Sequence, residues 1–437
     1  MLSMMLLIVL WRGYRMIYNE TRYNSHWNTK KLSELGTFAR GKSKHRPRDD
    51  ERLYEGGGYP LIQTGEVKAA NLYITSHEQE YGEFGLAQSK LWDAGTLCIT
   101  IAANIAETAI LGYPMCFPDS VVGFSAFPSE SSEKFMHYVF TYIRNSIQNS
   151  VTGSIQDNIN IDYLSQLDFK VPPKSYQDKV VGVLGTIDEK IDTNTRICTE
   201  LEAMAKTLYD YWFTQFDFPN AEGKPYRSSG GEMVWNDQLK REIPKGWTPG
   251  TISSLMKIEN TSVNPQKLGN ALMEHYSIPA FDANHNPAYE EAGTIESGKY
   301  VVDPECILTS KLNPHFKRLW DPYCDTENAI CSTEFIVYRP RTAWTRPFCY
   351  AVLNSEAFYA HMVGKATAST GSRKRIQPDV SASFELAIPD EKTMRAFVEL
   401  YAPIMEKQKA LYKENCELTK LRDWLLPVLM NGQATVE

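Results

Sequence analysis

The sequence predicts a mixed α/β protein of the α+β class that is built twice over, with a long amphipathic helix after each globular copy. Three observations support this fold class. Two stretches of the 437-residue chain match each other at a spacing near 220 residues. Short apolar runs and helical patterns are interspersed within each stretch. A heptad pattern then follows each stretch, which predicts two long helices with apolar seams.

The repeat rests on two anchors. Trp27 and Trp247 stand 220 residues apart, and similar pentapeptides follow them, KLSEL in the first copy and TISSL in the second. A Thr-Gly-Ser triplet forms the second anchor and contains Gly153 in the first copy and Gly371 in the second. Glycine at these places is expected to shape a turn. The two anchors together predict a pseudo-twofold duplication.

Each copy contains strand and helix signals in turn. Apolar runs bounded by Gly, Pro, Asn and Asp predict strands. These runs are residues 59–64, 96–102 and 168–171 in the first copy, and 276–280, 306–310 and 335–338 in the second. Apolar residues that recur at three and four predict helices over 132–146 and 346–363. Each copy is therefore predicted to be a mixed α/β domain.

The heptad seams are the strongest periodic signal. The first consists of Val180, Leu184, Ile187, Ile191, Asn194, Cys198, Leu201, Ala205, Leu208 and Trp212. The second consists of Phe397, Leu400, Ile404, Lys407, Leu411, Glu414, Leu418, Leu421 and Leu425. At about 1.5 Å per residue, the first helix is about 50 Å long, too long to bury its seam against one domain.

We therefore expect the two helices to pair with each other as an antiparallel coiled-coil spacer, with the two domains held apart. The helix-pairing residues are expected to be Leu184, Ile187, Ile191, Leu201, Leu208, Ile404, Leu411, Leu418, Leu421 and Leu425. Asn194 and Lys407 are polar seam residues that can fix the register. An oligomerising coiled coil is the alternative interpretation of the same pattern.

These signals divide the chain into six segments. They are an N-terminal extension (1–20), the first domain (21–173), the first helix (174–217), a Gly-, Ser- and Pro-rich linker (218–245), the second domain (246–389) and the second helix (390–432). The apolar start has no basic n-region and is far shorter than the roughly 20 residues that span a bilayer, so no membrane association is expected. We interpret it as an extension upstream of a natural start near Met16.

Charge and cysteine content restrict the possible functions. The net charge of −7 argues mildly against nucleic acid, but each copy has one dense basic cluster. The clusters contain Arg40, Lys42, Lys44, His45, Arg46 and Arg48 in the first copy, and Arg373, Lys374 and Arg375 in the second. The 8 cysteines show no CxxC spacing, which predicts no zinc site and reduced thiols in the cytoplasm.

At this point several motifs resemble one known family. Residues 243–247, Ile-Pro-Lys-Gly-Trp, are similar to the segment that opens a target-recognition domain in the specificity (S) subunits of type I restriction-modification systems. Residues 153–191 resemble the junction between such a domain and its helix, and residues 424–432 resemble the C-terminal end. The order of domain and helix matches twice, from Trp27 to Gly432. The second junction departs from the first, with Met394 in place of Gln177 and a single Pro389.

The resemblance implies a function without catalysis. Each target-recognition domain would read half of a split site in double-stranded DNA, and the helices would space the halves and dock two methyltransferase (M) subunits. Restriction (R) subunits would then join this core. Two domains on a rigid spacer fit such a site, because half-site spacing follows protein geometry. The two copies differ in sequence, so the expected site is asymmetric.

Candidate DNA contacts follow from the chemistry of base edges. Arg and Lys pair with guanine, and Asn and Gln with adenine. In the first domain the candidates are Lys42, Lys44, Arg46, Gln63 and Gln156. In the second they are Lys311, His315, Lys317, Arg373, Lys374 and Arg375. A solvated charge run is the alternative explanation of both basic clusters.

Two other classes of function were weighed. Residues 286–289 (Asn-Pro-Ala-Tyr) and 313–316 (Asn-Pro-His-Phe) resemble the Asn-Pro-Pro-Tyr/Phe loop of self-contained adenine-N6 methyltransferases, but both lack the second proline. Residues 56–58, Gly-Gly-Gly, have no βαβ unit around them for a cofactor. The adjacent carboxylates of Asp390 and Glu391 do not suit a nuclease metal site. We therefore expect no catalytic residue, metal or cofactor. A coiled-coil scaffold without a DNA role is the third possibility.

Overall fold

The structure is a computed structural model that describes residue 17 and residues 19–152, 159–370 and 373–436. It divides into two compact units. The first unit comprises the chain up to Asp192 together with the segment from Glu417 onward, and the second comprises Thr193–Cys416. Two long helices, Lys174–Tyr209 and Glu391–Met430, each contribute to both units.

The first unit contains a five-stranded sheet, a four-stranded sheet and a two-stranded pair. In spatial order the five-stranded sheet consists of Gly36–Arg40, Val121–Ala126, Leu97–Thr100, Thr108–Leu111 and Tyr73–Ile74. The four-stranded sheet consists of Gln79–Tyr81, Tyr59–Leu61, Met115–Cys116 and Leu91–Trp92. Its helices are Leu32–Leu35, Thr64–Ala69, Glu83–Gln88, Glu133–Thr152 and Ile161–Gln166, with a 3₁₀ turn at Glu51–Leu53.

The second unit repeats this plan. One sheet consists of Met256–Ile258, Phe335–Pro340, Ile307–Ser310 and Leu319–Trp320. The other consists of Ser262–Val263, Lys299–Val301, Ala329–Ser332, Leu272–Tyr276 and Ala288–Glu291. Its α-helices are Ile252–Leu255, Ile278–Asn284, Arg346–Asn354, Glu356–Lys365 and Pro378–Ala382, and its 3₁₀ turns are Pro265–Leu268, Ala292–Thr294 and Ala343–Thr345. A further strand pair joins Thr367–Thr370 to Arg373–Arg375.

The same strand pair closes both domains. In the first unit Asn28–Lys31 pairs antiparallel with Asp168–Val171, the last strand before the first long helix. In the second unit Thr248–Thr251 pairs antiparallel with Glu385–Ile388, the last strand before the second long helix. The duplicated α+β architecture predicted from the sequence is confirmed.

Two predicted element boundaries were wrong. Residues 276–280 were predicted as a strand, but the strand ends at Tyr276 and a helix begins, because the Ser277 hydroxyl accepts a hydrogen bond from the Ala280 amide at 3.2 Å. The single helix predicted over 346–363 is two helices, because Ser355 caps the second one through the Phe358 amide at 3.2 Å. Side-chain capping decided both boundaries.

Residues 218–245 were predicted as a linker, and the structure shows a folded segment of the second unit. Met233–Asn236 and Arg241–Pro244 form an antiparallel hairpin. Phe218 is buried, and its ring stacks on Trp247 at 5.1 Å between centroids. The Gly, Ser and Pro residues mark turns here, while the aromatic side chain anchors the segment in the core.

Within the first unit the long helices run antiparallel. Near the start of the first helix, the Tyr176 hydroxyl donates to the carbonyl of Ala434 at 2.7 Å. Three turns further along, Asp188 accepts a hydrogen bond from Arg422 at 3.1 Å. The apolar core beside these contacts contains Val180, Leu184, Leu426, Leu429 and Met430.

Within the second unit the helices are also antiparallel. The Asn194 amide is buried and donates to Glu414 at 2.8 Å. One turn later, the Gln408 amide donates to the carbonyl of Cys198 at 3.1 Å. Asn194 therefore occupies the polar seam position predicted for it, with a polar partner across the pair.

The first helical seam has the predicted phase. Leu184 and Ile187 are buried, and Ile191, Leu201 and Leu208 are half-buried. The second seam was predicted one residue out of phase after Phe397. Leu400 and Ile404 were predicted to be the next buried residues, but Tyr401 and Met405 are buried instead. The buried residues of this helix are Met394, Phe397, Tyr401, Met405, Leu411, Leu426, Leu429 and Met430.

Four predicted members of the second seam are exposed. They are Leu400, Lys407, Glu414 and Leu421, and the pairing predicted for Leu421 is wrong within this chain. Leu411 is buried, while Ile404, Leu418 and Leu425 are half-buried.

In the part of the chain that the structure describes, no helix is both long and apolar enough to cross a membrane.

His137 makes the first unit sensitive to acid. Its Nδ1 lies 3.0 Å from the Thr108 hydroxyl, and burial lowers its pKa to about 3 from an ordinary value of 6.5. The unfolded chain therefore binds the proton more readily than the folded chain. The contribution of neutral His137 to the free energy of unfolding is fully present above pH 6.5 and is lost as the pH falls below that value. We expect the free energy of unfolding to drop by about 2 kcal/mol between neutral pH and about pH 5.

Urea titrations at several pH values measure this loss. The variant His137→Asn keeps a polar group near the Nδ1 position and should flatten the pH dependence between about pH 7 and pH 5. His26→Asn, at an exposed histidine, serves as the matched control and should leave the pH dependence unchanged. An unaltered slope in His137→Asn would contradict the assignment.

Candidate nucleic-acid interface

Loops at one end of the strands of the five-stranded sheet bring together most of the DNA-contact candidates of the first domain. The amide of Gly41 donates to the carbonyl of Val121 at 2.8 Å, and the amide of Ile101 donates to the carbonyl of Ser120 at 2.9 Å. We call residues 41–50, 101–107 and 117–120 the first loop edge. The basic cluster predicted from the sequence is part of it.

Gln63 lies close to this edge. It precedes the helix Thr64–Ala69, its amide donates to Glu66 at 3.0 Å, and the neighbouring Thr64 carbonyl lies 3.5 Å from the Asn104 amide. Gln156, with Gly153, lies outside the described residues, as does Gly371 in the second unit. The amide of Ile159, just beyond the first of these gaps, donates to the carbonyl of Ile101 at 3.0 Å.

The basic cluster divides into paired and unpaired cations. Arg48 bonds the carboxylate of Asp119 at 2.6 Å, and Arg46 donates to backbone carbonyls of its own loop. Lys42 and Lys44 are exposed, and among the described residues no carboxylate lies within 4.0 Å of either ammonium group. The two lysines therefore provide the unneutralised charge of this edge.

The second unit has an equivalent edge. The amide of Lys311 donates to the carbonyl of Glu334 at 2.9 Å, and the amide of Ile376 donates to the carbonyl of Lys311 at 3.1 Å. These two bonds repeat the Ile101 and Ile159 contacts of the first unit. We call residues 311–318, 333–334 and 373–375 the second loop edge.

Asn313 joins two parts of the second loop edge. Its amide donates to the carbonyl of Lys374 at 2.8 Å, and its side-chain oxygen accepts from the Lys374 amide at 2.9 Å. Its φ of 48° is left-handed, a conformation that asparagine tolerates better than most residues. Arg373, Lys374 and His315 are all exposed around this junction.

Two other candidates face the protein. Arg375 donates two hydrogen bonds to Glu334, at 2.8 and 3.1 Å, and this contact lowers the pKa of the carboxyl group. Lys317 donates to the carbonyl of Asn354 at 2.6 Å, and burial lowers its pKa. Both side chains hold the second loop edge to its domain, and direct DNA contact by either stays a prediction.

The asparagines of the two methyltransferase-like tetrapeptides have structural contacts. Asn286 is buried and accepts a hydrogen bond from the Tyr323 hydroxyl at 2.6 Å, and Asn313 joins the loops described above. Within the described part of the chain, no group of three or more His, Cys, Asp or Glu side chains is arranged to hold a metal ion.

An exposed aromatic residue beside the first loop edge is not among the residues predicted from the sequence. Phe84 is 40% exposed; the His45 ring lies 5.3 Å from its centroid and the Arg52 guanidinium 5.6 Å. Asp50 accepts hydrogen bonds from His45 at 2.7 Å and from Arg52 at 2.6 Å, which hold its pKa well below the usual range. We call these four residues the first phenyl cluster.

A second exposed phenylalanine has a closely similar environment. Phe316 is 53% exposed; the His315 ring lies 4.2 Å from its centroid and the Arg318 guanidinium 5.0 Å. Asp282 accepts two hydrogen bonds from Arg318, at 2.6 and 2.8 Å. We call these four residues the second phenyl cluster. No period or motif signals either cluster, because each carboxylate is distant in sequence from its phenylalanine.

Comparison with known proteins agrees with this architecture. Residues 24–203 match a family model described as a type I restriction modification DNA specificity domain. The chain is 24% identical over 430 residues to the type I restriction enzyme MjaIX specificity subunit of Methanocaldococcus jannaschii, covering 94% of both chains. It is 22% identical over 333 residues to the HindI specificity subunit of Haemophilus influenzae, covering 63% of this chain and 71% of the relative.

A solved structure shares the fold. The crystal structure of the type I S subunit from M. genitalium matches with a TM-score of 0.57 at 14% identity, over 95% of this chain and 99% of the other. Two copies of a closed α+β domain, each with a loop edge and a following long helix, make up this shared fold. Residues 24–203 thus match the type I DNA specificity domain, and the chain as a whole is similar to specificity subunits of type I restriction-modification systems. The resemblance noted from its motifs is thereby confirmed.

Proposed function

We propose that this chain is the non-catalytic subunit that selects the DNA sequence for a type I restriction-modification complex. The first loop edge would read one half of a bipartite site, and the second loop edge the other half. The observation that carries the proposal is that equivalent backbone frameworks present different side chains in the two units. Phosphate contacts would supply much of the affinity, and base-edge contacts the discrimination.

The difference between the two edges supports an asymmetric site. Residues 101–107 of the first edge contain no lysine or arginine, while the equivalent loop of the second edge contains Lys311 and His315 beside Lys317 and Arg318, which bond to the protein. The first edge instead takes its charge from Lys42 and Lys44. Two edges with different donors in different places would recognise different bases.

The chemistry would belong to partner subunits. We propose that the chain docks two methyltransferase subunits and, through that core, restriction subunits, and that the assembly works in the cytoplasm. The relatives from M. jannaschii and H. influenzae are both named as specificity subunits of type I restriction enzymes. A self-contained methyltransferase or a scaffold without DNA receives no support from these relatives.

The decisive experiment expresses the chain with its cognate methyltransferase subunit in a methylation-free host and maps methylated adenines genome-wide. A bipartite asymmetric motif is expected. Expression of either subunit alone should give no methylation. Methylation by the chain alone, or a palindromic motif in the presence of the partner, would overturn the proposal.

Lys42 and Lys44 should contribute to affinity without selecting bases. Each phosphate contact releases counterions, so the logarithm of the binding constant falls with the logarithm of salt concentration. The double variant Lys42→Ala/Lys44→Ala in the assembled complex should weaken binding and reduce that slope by about 2. The methylated motif should stay the same.

Salt titrations of duplex binding measure the slope, and methylation mapping measures the motif. Lys245→Ala is the control, because its ammonium group already pairs with Glu232 at 2.8 Å and has less charge to offer a phosphate. An altered motif in the double variant would mean that these lysines contact bases directly.

A further inference from the structure

We propose that Phe84 and Phe316 are apolar wedges, each of which enters a base step in the half-site read by its own unit. The proposal rests on the proposed function, since it requires that both units bind duplex DNA. It adds a second mode of recognition, through deformation of the DNA, to the hydrogen bonds expected from the loop edges.

The position of the two phenyl groups supports a contact with DNA. Both are exposed, and both lie beside loops that contain candidate phosphate contacts. The helix that contains Phe84 is bound to the basic loop, because the Lys44 amide donates to the carbonyl of Gln88 at 3.1 Å and the Ser89 hydroxyl donates to the carbonyl of Lys42 at 2.9 Å. The Phe316 amide donates to the carbonyl of Asn313 at 2.9 Å, next to Lys374. Each ring is therefore near the candidate phosphate contacts of its unit.

Both rings are also preorganised for binding. An exposed phenyl group on a mobile surface would lose conformational freedom on binding, but each of these is held by a guanidinium that is itself fixed. Arg52 is bonded to Asp50, and Arg318 is bonded in bidentate fashion to Asp282. A cation within about 6 Å of a ring centroid attracts it. The carboxylates thus act as positioning groups for the two rings.

The charge of the two clusters also supports a contact with bases. Asp50 neutralises Arg52, and Asp282 neutralises Arg318, so these arginine–aspartate pairs add little net charge to the surface. A patch meant for phosphate would keep its cations unpaired, as Lys42 and Lys44 are. Beside its neutralised pair each cluster presents an exposed apolar ring, which fits the stacked bases better than the backbone.

The two clusters recur at non-equivalent places in the fold. Phe84 lies in the helix Glu83–Gln88, whereas Phe316 lies in the loop that follows the strand Ile307–Ser310. The same grouping of aspartate, arginine, histidine and phenylalanine thus occurs in two different parts of the repeated fold. Simple inheritance through the duplication does not account for it, so a shared use is the economical explanation.

Duplex DNA limits how a phenyl group can meet bases. In a stacked duplex the faces of the bases are covered, so the ring reaches them only by partly opening a base step. Proteins that insert apolar side chains in this way unstack and kink the duplex. The energy depends on the step that is opened, which would make each phenyl cluster a contributor to sequence preference.

The test uses the complex of the full chain with its methyltransferase partner and duplexes that carry 2-aminopurine at successive positions of each half-site. Wild-type complex should raise the fluorescence at one step per half-site, because unstacking relieves quenching. Phe84→Ala should abolish the rise in the first half-site only and weaken binding about tenfold. Phe84→Leu should retain much of the fluorescence rise and much of the affinity. Phe316→Ala should do the same in the second half-site.

Matched controls separate the wedge from a general effect of removing an exposed apolar group. Phe127 has the same 40% exposure as Phe84 and follows the opposite end of the strand Val121–Ala126. Leu272, 51% exposed, begins the strand Leu272–Tyr276 and serves for the second unit. Phe127→Ala and Leu272→Ala should leave fluorescence and affinity unchanged.

The salt slope gives a second readout. Phe84→Ala and Phe316→Ala should leave it unchanged, whereas Lys42→Ala/Lys44→Ala should reduce it. Wild-type fluorescence that does not rise at any step, or equal losses in Phe84→Ala and Phe127→Ala, would overturn the wedge even if the complex methylates a bipartite motif. Absence of methylation by the wild-type complex would instead overturn the proposed function, so the two failures are distinct.

Discussion

Exchanging residues 246–389 for the second domain of another specificity subunit should replace one half of the methylated motif and leave the other half intact. The second loop edge lies wholly within the exchanged segment, and the first lies wholly outside it. Each mismatched base pair costs roughly 1–3 kcal/mol, so three new base requirements should reduce methylation at the old site at least a hundredfold. This is the largest functional effect that we expect.

The exchange must preserve the packing of the second domain on its helices. Phe213 lies in the π-helical turn Asp210–Thr214 that continues the first long helix, and Phe397 lies in the second. Their ring centroids are 4.7 Å apart and lie 5.0 and 6.2 Å from that of Phe348 in the domain. A donor with an apolar residue at the position of Phe348 is therefore the suitable choice. Genome-wide mapping of methylated adenines measures the outcome, and a change in both halves of the motif would contradict independent recognition by the two units.

Asp188→Ala should destabilise the first unit by about 3–5 kcal/mol, the loss typical when one partner of a buried ion pair is removed. The carboxylate is buried; it accepts a hydrogen bond from the Tyr138 hydroxyl at 2.6 Å and another from Arg422 at 3.1 Å. Burial disfavours the charged form of Arg422, but the negative charge of Asp188 favours it. The net result is that the pKa of the guanidinium is raised. Without Asp188 a partly buried cation loses its most buried counterion.

The chain supplies a matched control on the same guanidinium. Asp423 also bonds Arg422, at 2.9 Å, but its side chain is 60% exposed. Asp423→Ala should cost no more than about 1 kcal/mol, because solvent screens exposed pairs. Urea unfolding followed by a probe in the first unit gives both values. In a double-mutant cycle, Asp188→Ala with Arg422→Ala should cost less than the sum of the single variants. Equal costs for Asp188→Ala and Asp423→Ala would show that burial of the pair has no role.

Local signals predicted most of the fold, because apolar periodicity depends on neighbours in sequence. The first seam shows this well, since its residues recur at regular intervals of three and four from Val180 to Trp212. The second seam failed where Leu400 and Tyr401 compete: both are apolar enough to fit a heptad, and only packing against Phe397 and Met405 decides between them. Hydrogen-bonded caps at Ser277 and Ser355 decided boundaries that periodicity did not resolve.

The candidate interface was predictable only in part. Dense basic clusters are visible in any sequence, and they led to Lys42, Lys44 and Lys374, which are exposed; their contact with DNA stays a prediction. Whether a basic side chain turns inward depends on distant partners, as Arg375 shows with Glu334. The phenyl clusters depend on tertiary structure in the same way, because an aspartate positions an arginine on a ring that is far away in the chain.

The strand pairs that close the two domains have a consequence for inheritance. Because Thr248–Thr251 lies beside Glu385–Ile388, the chain enters and leaves the second domain at neighbouring points. A gene segment that encodes everything between these strands could therefore be replaced by recombination as one cassette, while the helices that follow keep their partners. The first domain has the same design, with Asn28–Lys31 beside Asp168–Val171. A lineage could in this way acquire a new target sequence in a single genetic event.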